Sequence, residues 1–99
     1  MNIEFFGHNL KVTKAMKDYL IKKVERLKKM VTEMESARAT FTINKHHKHG
    51  QISTVRVILK IKGKTVTAEN EAGDFYSAID IVQEKLEKQL RRTVSRNYS

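Results

Sequence analysis

Several residue types are missing or scarce in this chain of 99 residues. It contains no cysteine, proline or tryptophan, and only four glycines. Without cysteine the chain has no disulfide and no thiolate to offer a metal. No apolar run approaches the roughly 20 residues of a membrane span, and the N-terminus lacks the apolar segment of a signal peptide. These absences predict a cytoplasmic protein without a membrane partner. The length of 99 residues predicts a single domain over residues 1–99.

Acidic residues are outnumbered by basic ones. The chain has 20 lysines and arginines against 11 aspartates and glutamates, a formal net charge of +9. Such an excess says little about the fold, but it favours a polyanionic partner. Nucleic acid, an acidic protein and an anionic membrane surface are the candidates, of which the membrane has the weakest support.

Two segments have the apolar spacing of amphipathic helices. The first follows Thr13, whose side chain is expected to cap it, and is predicted to end near Met34. The second follows Asp74 and extends to Arg96. The apolar stripes are Met16, Leu20, Val24, Leu27 and Val31 in the first helix, and Phe75, Ile79, Val82, Leu86 and Leu90 in the second.

Alternating apolar and polar residues predict four strands, over residues 2–8, 37–44, 51–62 and a shorter segment around Val66. The last three are joined by short turns and should form an antiparallel meander, whereas the first returns through a helix and should pair in parallel. The economical packing is a two-layer α+β sandwich, β-α-β-β-β-α, with a four-stranded mixed sheet and both helices on one face. The other sheet face is expected to be polar and wet, with Thr40, Thr42, Thr54, Arg56 and Lys60.

Each predicted helix also has a basic row outside its apolar stripe. Lys23 lies at the edge of the first stripe, where its stem can pack while its ammonium reaches water. Rows at helical spacing match phosphates better than base edges, so a folded RNA is the predicted ligand. Alternatively, the basic rows only keep a small protein soluble. The candidate RNA-binding residues from this spacing are Lys22, Arg26 and Lys29 on the first helix, and Lys85, Lys88 and Arg92 on the second.

A histidine cluster, residues 45–50, lies between the second and third strands. His46, His47 and His49 lack carboxylate or thiolate partners nearby, so no metal site is predicted. A basic loop tip that touches RNA and gains charge below about pH 6.5 is the favoured interpretation. No nucleophile–base motif or phosphate-binding glycine loop is found. The sequence therefore predicts a binding protein with no catalytic residues and no cofactor, rather than an enzyme.

Two motifs resemble a known family. Asp74-Phe75-Tyr76-Ser77-Ala78-Ile79-Asp80 followed by Lys85-Leu86-Glu87-Lys88-Gln89-Leu90, together with Thr13-x-Ala15-x-Lys17-x-Tyr19, is similar to the signature of the ribosome hibernation-promoting factors, which include protein Y. The resemblance implies a translation inhibitor of resting or stressed cells. It implies binding to ribosomal RNA of the small subunit, in competition with messenger RNA and tRNA. By the resemblance, basic residues of both helices would make the contacts, with weaker family support for Lys22. The matching positions are Lys23, Arg26 and Lys29 on the first helix, and Lys85, Lys88, Arg92 and Arg96 on the second.

The resemblance leaves the type of factor open. Val94 stands where short members often have a basic residue, and the chain has neither the dimerisation domain of long members nor the acidic tail of protein Y. It is similar to a short factor, which would act with a separate ribosome modulation factor, or to the N-terminal domain of a long one. The short type is favoured.

Two further hypotheses assign the chain to other classes of protein. A generic double-stranded RNA-binding module has an α-β-β-β-α core like residues 13–96, but it normally begins its last helix with lysines, where this chain has Asp74 and Asp80. An interaction or assembly domain with incidental charge is the third hypothesis. Salt dependence of binding separates it from the two RNA-binding hypotheses.

Overall fold

The computed structural model describes residues 2–31, 33–46 and 50–98, and side chains over 3–31, 33–44 and 50–92. The elements, in chain order, are β1 (Asn2–His8), α1 (Lys14–Lys28), β2 (Met34–His46), β3 (Gly50–Ile61), β4 (Lys64–Ala72) and α2 (Phe75–Tyr98). This confirms the predicted order β-α-β-β-β-α. The four strands form one sheet in the order β1-β2-β3-β4.

The sheet is mixed, as predicted. β1 pairs in parallel with β2, whereas β2 with β3 and β3 with β4 are antiparallel. A two-residue turn joins β3 to β4, and both of its residues, Lys62 and Gly63, have positive φ angles of 49° and 77°. Positive φ at both central positions is the requirement of a type I′ hairpin turn. The predicted fourth strand pairs with β3 along its whole length, Lys64–Ala72.

The hydrophobic core lies between the sheet and the two helices. Met16, Leu20, Val24 and Leu27 of α1 are buried in one cluster with the inward-facing residues of the sheet and with the apolar stripe of α2. Phe41 of β2 is fully buried, with its ring 6.5 Å from that of Phe5 and 5.4 Å from that of Phe75. Both helices thus cover the same sheet face, and the predicted two-layer α+β sandwich is confirmed.

Both helix starts are capped by the residues that the sequence indicates. The Thr13 hydroxyl accepts a hydrogen bond of 3.2 Å from the amide of Met16. One carboxylate oxygen of Asp74 accepts from the Ser77 amide and the other from its hydroxyl, both at 2.8 Å. The hydrogen bond from the Ser77 amide, followed by the one from its hydroxyl, lowers the pKa of Asp74 below its ordinary value. The Asp74 carboxylate therefore stays ionised at the positive end of α2.

The predicted end of the first helix is wrong. α1 ends at Lys28, where the amide of Met30 bonds back to the Leu27 carbonyl, and Met34 instead begins β2 opposite Ile61. Burial of Met34 against the sheet outweighs continuation of the helix, because a strand here completes the pairing with β3.

The open face of the sheet is less wet than expected. Arg56 and Lys60 are exposed, but Thr40 and Thr42 are half-buried and Thr54 is buried. The Oγ1 atom of Thr54 has no hydrogen-bond partner among the residues that the structure describes. Thr54 is buried because it lies in a central strand, directly opposite Thr42 of one neighbour and Glu71 of the other.

Candidate nucleic-acid interface

The basic row of α1 faces solvent. Lys22, Arg26 and Lys29 are all exposed, and within the described part of the chain none of the three forms a hydrogen bond or an ion pair. Their spacing of four and three residues puts them on one side of the helix. These cations are therefore available to an external anion.

Lys23 differs from the other predicted cations because it has internal partners. Its Nζ lies 3.4 Å from the Oδ1 of Asp80 and 5.1 Å from the centroid of the Tyr19 ring. Its side chain is only 24% exposed. As expected for a lysine at the edge of the apolar stripe, the stem is partly buried and the ammonium reaches outward, where it contacts the Asp80 carboxylate of α2. Its role in RNA binding stays a prediction.

The basic row of α2 lies on the side of that helix that borders β4. Lys85, Lys88 and Arg92 are exposed. The Nζ of Lys85 donates to the Glu69 carbonyl at 3.0 Å and to the Oδ1 of Asn70 at 3.1 Å. Lys88 and Arg92 form no hydrogen bond or ion pair among the residues whose side chains are described. Arg96, the last predicted contact, lies outside the described side chains.

Between the two rows is a seam of polar and acidic residues, which we call the interhelix seam: Tyr19 and Lys23 of α1, and Tyr76, Asp80, Gln83 and Glu87 of α2. The Oδ1 of Asp80 accepts a hydrogen bond of 2.6 Å from the Tyr19 hydroxyl. Glu87 accepts from Gln83 at 3.2 Å and pairs with Arg91 at 2.8 Å. The two basic rows are therefore separated by the interhelix seam, where Asp80 is paired with Lys23 and Glu87 is paired with the adjacent Arg91.

The hydrogen bond to Asp80, followed by partial burial, raises the pKa of Tyr19 above its ordinary value. The phenol is therefore neutral at physiological pH and acts as a donor. Sequence reasoning missed the pairing of Tyr19 with Asp80. The one sequence feature that could have indicated this pairing is that both residues belong to the family-like motifs and border an apolar stripe.

The remaining candidate features are a metal site, the histidine cluster and a membrane-spanning helix. Among the residues that the structure describes, no group of three or more histidines, aspartates, glutamates or cysteines is placed to hold a metal ion. Of the histidine cluster, His47 and His49 lie outside the described residues, and only the backbone of His46 is described. In the described helices there is no span long and apolar enough to cross a membrane.

Comparison with known proteins identifies the family. The model of the family described as "Sigma 54 modulation protein / S30EA ribosomal protein" matches residues 3–97. A ribosome hibernation promotion factor of Deinococcus radiodurans is 33% identical over 90 residues, which are 91% of this chain and 47% of that protein. A ribosome hibernation promoting factor of Azotobacter vinelandii is 32% identical over 90 residues, 91% of this chain and 79% of that protein. A third relative, the ribosome hibernation promotion factor of Staphylococcus aureus, is 27% identical over 96 residues, 97% of this chain and 50% of that protein.

Solved structures agree with the fold. A ribosomal subunit interface protein from Coxiella burnetii superposes with a TM-score of 0.84 at 27% identity, covering 96% of this chain and 99% of that one. The N-terminal domain of protein Y from Thermus thermophilus superposes with a TM-score of 0.79 at 30% identity, covering 94% and 99%. The relatives' names describe hibernation factors rather than enzymes, in agreement with the predicted binding protein. The chain spans about half the length of the Deinococcus and Staphylococcus relatives, and it belongs to the Sigma 54 modulation protein / S30EA ribosomal protein family, which includes the ribosome hibernation-promoting factors that its motifs resemble.

Proposed function

We propose that this chain binds ribosomal RNA of the small subunit and inhibits translation in resting or stressed cells, by occupying the channel that messenger RNA and tRNA anticodon stems use. The observation that carries the proposal is the pair of exposed basic strips on the helical layer. Lys22, Arg26 and Lys29 form one, and Lys88 and Arg92 belong to the other, with no internal partner for any of the five among the described side chains.

The geometry fits a folded RNA. Tyr19 contacts Tyr76 and Lys23 contacts Asp80, four residues further along both helices, so α1 and α2 run in the same direction. Packed helices have axes about 8–10 Å apart, and the seam keeps the two strips separate. Two neighbouring phosphate backbones match such strips better than one extended strand does. Phosphate contacts give affinity and orientation, and the shape of the RNA gives specificity.

Inhibition then needs no chemistry. A protein that fills the channel excludes messenger RNA and tRNA for as long as it is bound. Binding to the ribosome also places the protein in the cytoplasm. By the family resemblance, pairing of ribosomes would require a separate ribosome modulation factor or a further domain.

Cosedimentation tests the proposal. The purified chain is centrifuged with vacant small subunits, with large subunits, and with small subunits loaded with messenger RNA and tRNA. We expect saturable binding to vacant small subunits that is lost when tRNA is present. Binding of equal strength to any RNA duplex, unaffected by tRNA, would instead establish a generic double-stranded RNA-binding module.

A further inference from the structure

An aromatic ring stands open at the N-terminal end of the interhelix seam. Tyr76, in the first turn of α2, is 41% exposed, whereas the neighbouring Phe75 is buried. Tyr76 contacts Tyr19 edge to face, with ring centroids 5.1 Å apart and an interplanar angle of 86°. An edge-to-face contact leaves much of the Tyr76 ring uncovered.

The contacts behind this ring hold it in place. Tyr19 is anchored by its 2.6 Å hydrogen bond to Asp80, and Lys23 lies over the Tyr19 ring and against the same carboxylate. Tyrosine has few rotatable bonds, and a ring packed on a fixed neighbour loses little further freedom when a ligand covers it. The open ring is therefore preorganised.

The charges around the ring select the ligand. The Asp80 carboxylate, whose side chain is 49% exposed, accepts from the Tyr19 hydroxyl behind the ring, and the ionised Asp74 caps α2 two residues before Tyr76. These carboxylates repel a phosphate. Lys22 and Arg26, three and seven residues after Tyr19 on the same side of α1, are both available to phosphates next to such a position. A neutral planar group flanked by phosphates fits this arrangement.

We propose that Tyr76 is a stacking platform for an unpaired nucleobase of the bound RNA, while Lys22 and Arg26 hold the phosphates that flank it. This inference rests on the proposed function and adds a base contact to what is otherwise phosphate recognition. Stacking on an aromatic side chain is tolerant of base identity. The platform therefore selects an unpaired nucleotide at a fixed place rather than a particular base.

Affinity measurements with vacant small subunits test the inference. Tyr76→Leu keeps an apolar side chain but removes the aromatic face, and we expect it to weaken binding roughly 5- to 150-fold. Tyr76→Phe keeps the face and should bind within about twofold of the unmodified chain. The matched control is Phe6→Leu, because Phe6 is 43% exposed on the opposite sheet face; its binding should not change. Wild-type affinity for Tyr76→Leu, or a loss in Tyr76→Phe as large as in Tyr76→Leu, would overturn the inference.

A second variant reports on stacking directly. The chain has no tryptophan, so Tyr76→Trp introduces a single indole whose fluorescence should be quenched when small subunits bind. Unchanged fluorescence on saturable binding contradicts the platform. If the unmodified chain fails to bind small subunits at all, the proposed function itself falls, and the inference falls with it.

Discussion

Reversal of two charges on the outer strip of α2 should reduce both the affinity for small subunits and its dependence on salt. We choose Lys88→Glu with Arg92→Glu and leave Lys85 unchanged. Lys85 bonds to Glu69 and Asn70 of β4, so its loss would disturb the fold as well as binding. The double variant touches no described internal contact.

The magnitude follows from counterion release. The two strips contain five cations without an internal partner among the described side chains. Each phosphate that these cations neutralise contributes about 0.7 to 0.9 to the slope of log affinity against log salt. The unmodified chain should therefore show a slope of about −3.5 to −4.5, a loss of roughly 100- to 500-fold between 50 and 200 mM salt. Without two of the five contacts the slope should become shallower by about 1.4 to 1.8.

The matched control is Arg56→Glu with Lys60→Glu. Both residues are exposed on the open sheet face, opposite the helices. This pair lowers the formal net charge of +9 by the same four units and therefore weakens long-range attraction equally. Equilibrium binding to small subunits is measured at five or more salt concentrations for all three proteins.

The control variant should keep the slope of the unmodified chain, with only a uniform loss in affinity. If the two double variants show the same slope, the positive charge acts as a diffuse field and the α2 strip makes no phosphate contacts. A slope near zero for the unmodified chain would support the interaction-domain hypothesis instead.

Three further predictions concern stability and are checked by urea unfolding. Gly7→Ala places a Cβ 2.5 Å from the carbonyl oxygen of Leu10 and should lower the free energy of unfolding by about 1–3 kcal/mol. The control Gly73→Ala, whose added Cβ meets nothing within 4 Å, should lower it far less. Equal losses in the two variants would contradict the clash. Tyr19→Phe removes the hydrogen bond to Asp80 and should cost about 0.5–1.5 kcal/mol. The native pKa of Tyr19 is raised above 10.0, so the hydrogen bond's contribution to stability is complete below pH 10 and is lost as the pH rises through the native pKa. The difference in free energy of unfolding between Tyr19→Phe and the unmodified chain should therefore become smaller in alkali. Thr54→Val removes a buried hydroxyl that has no partner in the described part of the chain, and it should leave the free energy of unfolding unchanged or raise it by about 1 kcal/mol. A clear loss of stability would reveal an unrecognised partner.

Local patterns were enough to predict the fold. Thr13 and Asp74 mark the helix starts because their side chains satisfy amides that the helix leaves unpaired. The end of α1 could not be predicted in the same way. Met34 continues the apolar helical spacing of the residues before it, and only its pairing with Ile61, 27 positions away in sequence, makes it a strand residue.

The basic residues could also be named from the sequence, but not their arrangement. Periodicity places Lys85 and Asp80 on α2 without indicating which of them faces α1. That choice depends on tertiary contacts, Asp80 with Tyr19 and Lys85 with Glu69. The roles proposed for the basic residues in RNA binding stay predictions.

The contacts between α2 and β4 have a consequence for assembly. Lys85 bonds to the Glu69 carbonyl, and Gln89 donates to the carbonyl of Thr67 at 2.9 Å. Carbonyls two residues apart point to the same side of a strand, and these two point away from β3. Side chains of α2 therefore occupy carbonyl acceptors that an incoming strand would need at the free edge of β4. Lateral growth of the sheet, whether by aggregation between copies or by strand addition from a partner, is thereby directed to β1, which in the described structure pairs only with β2.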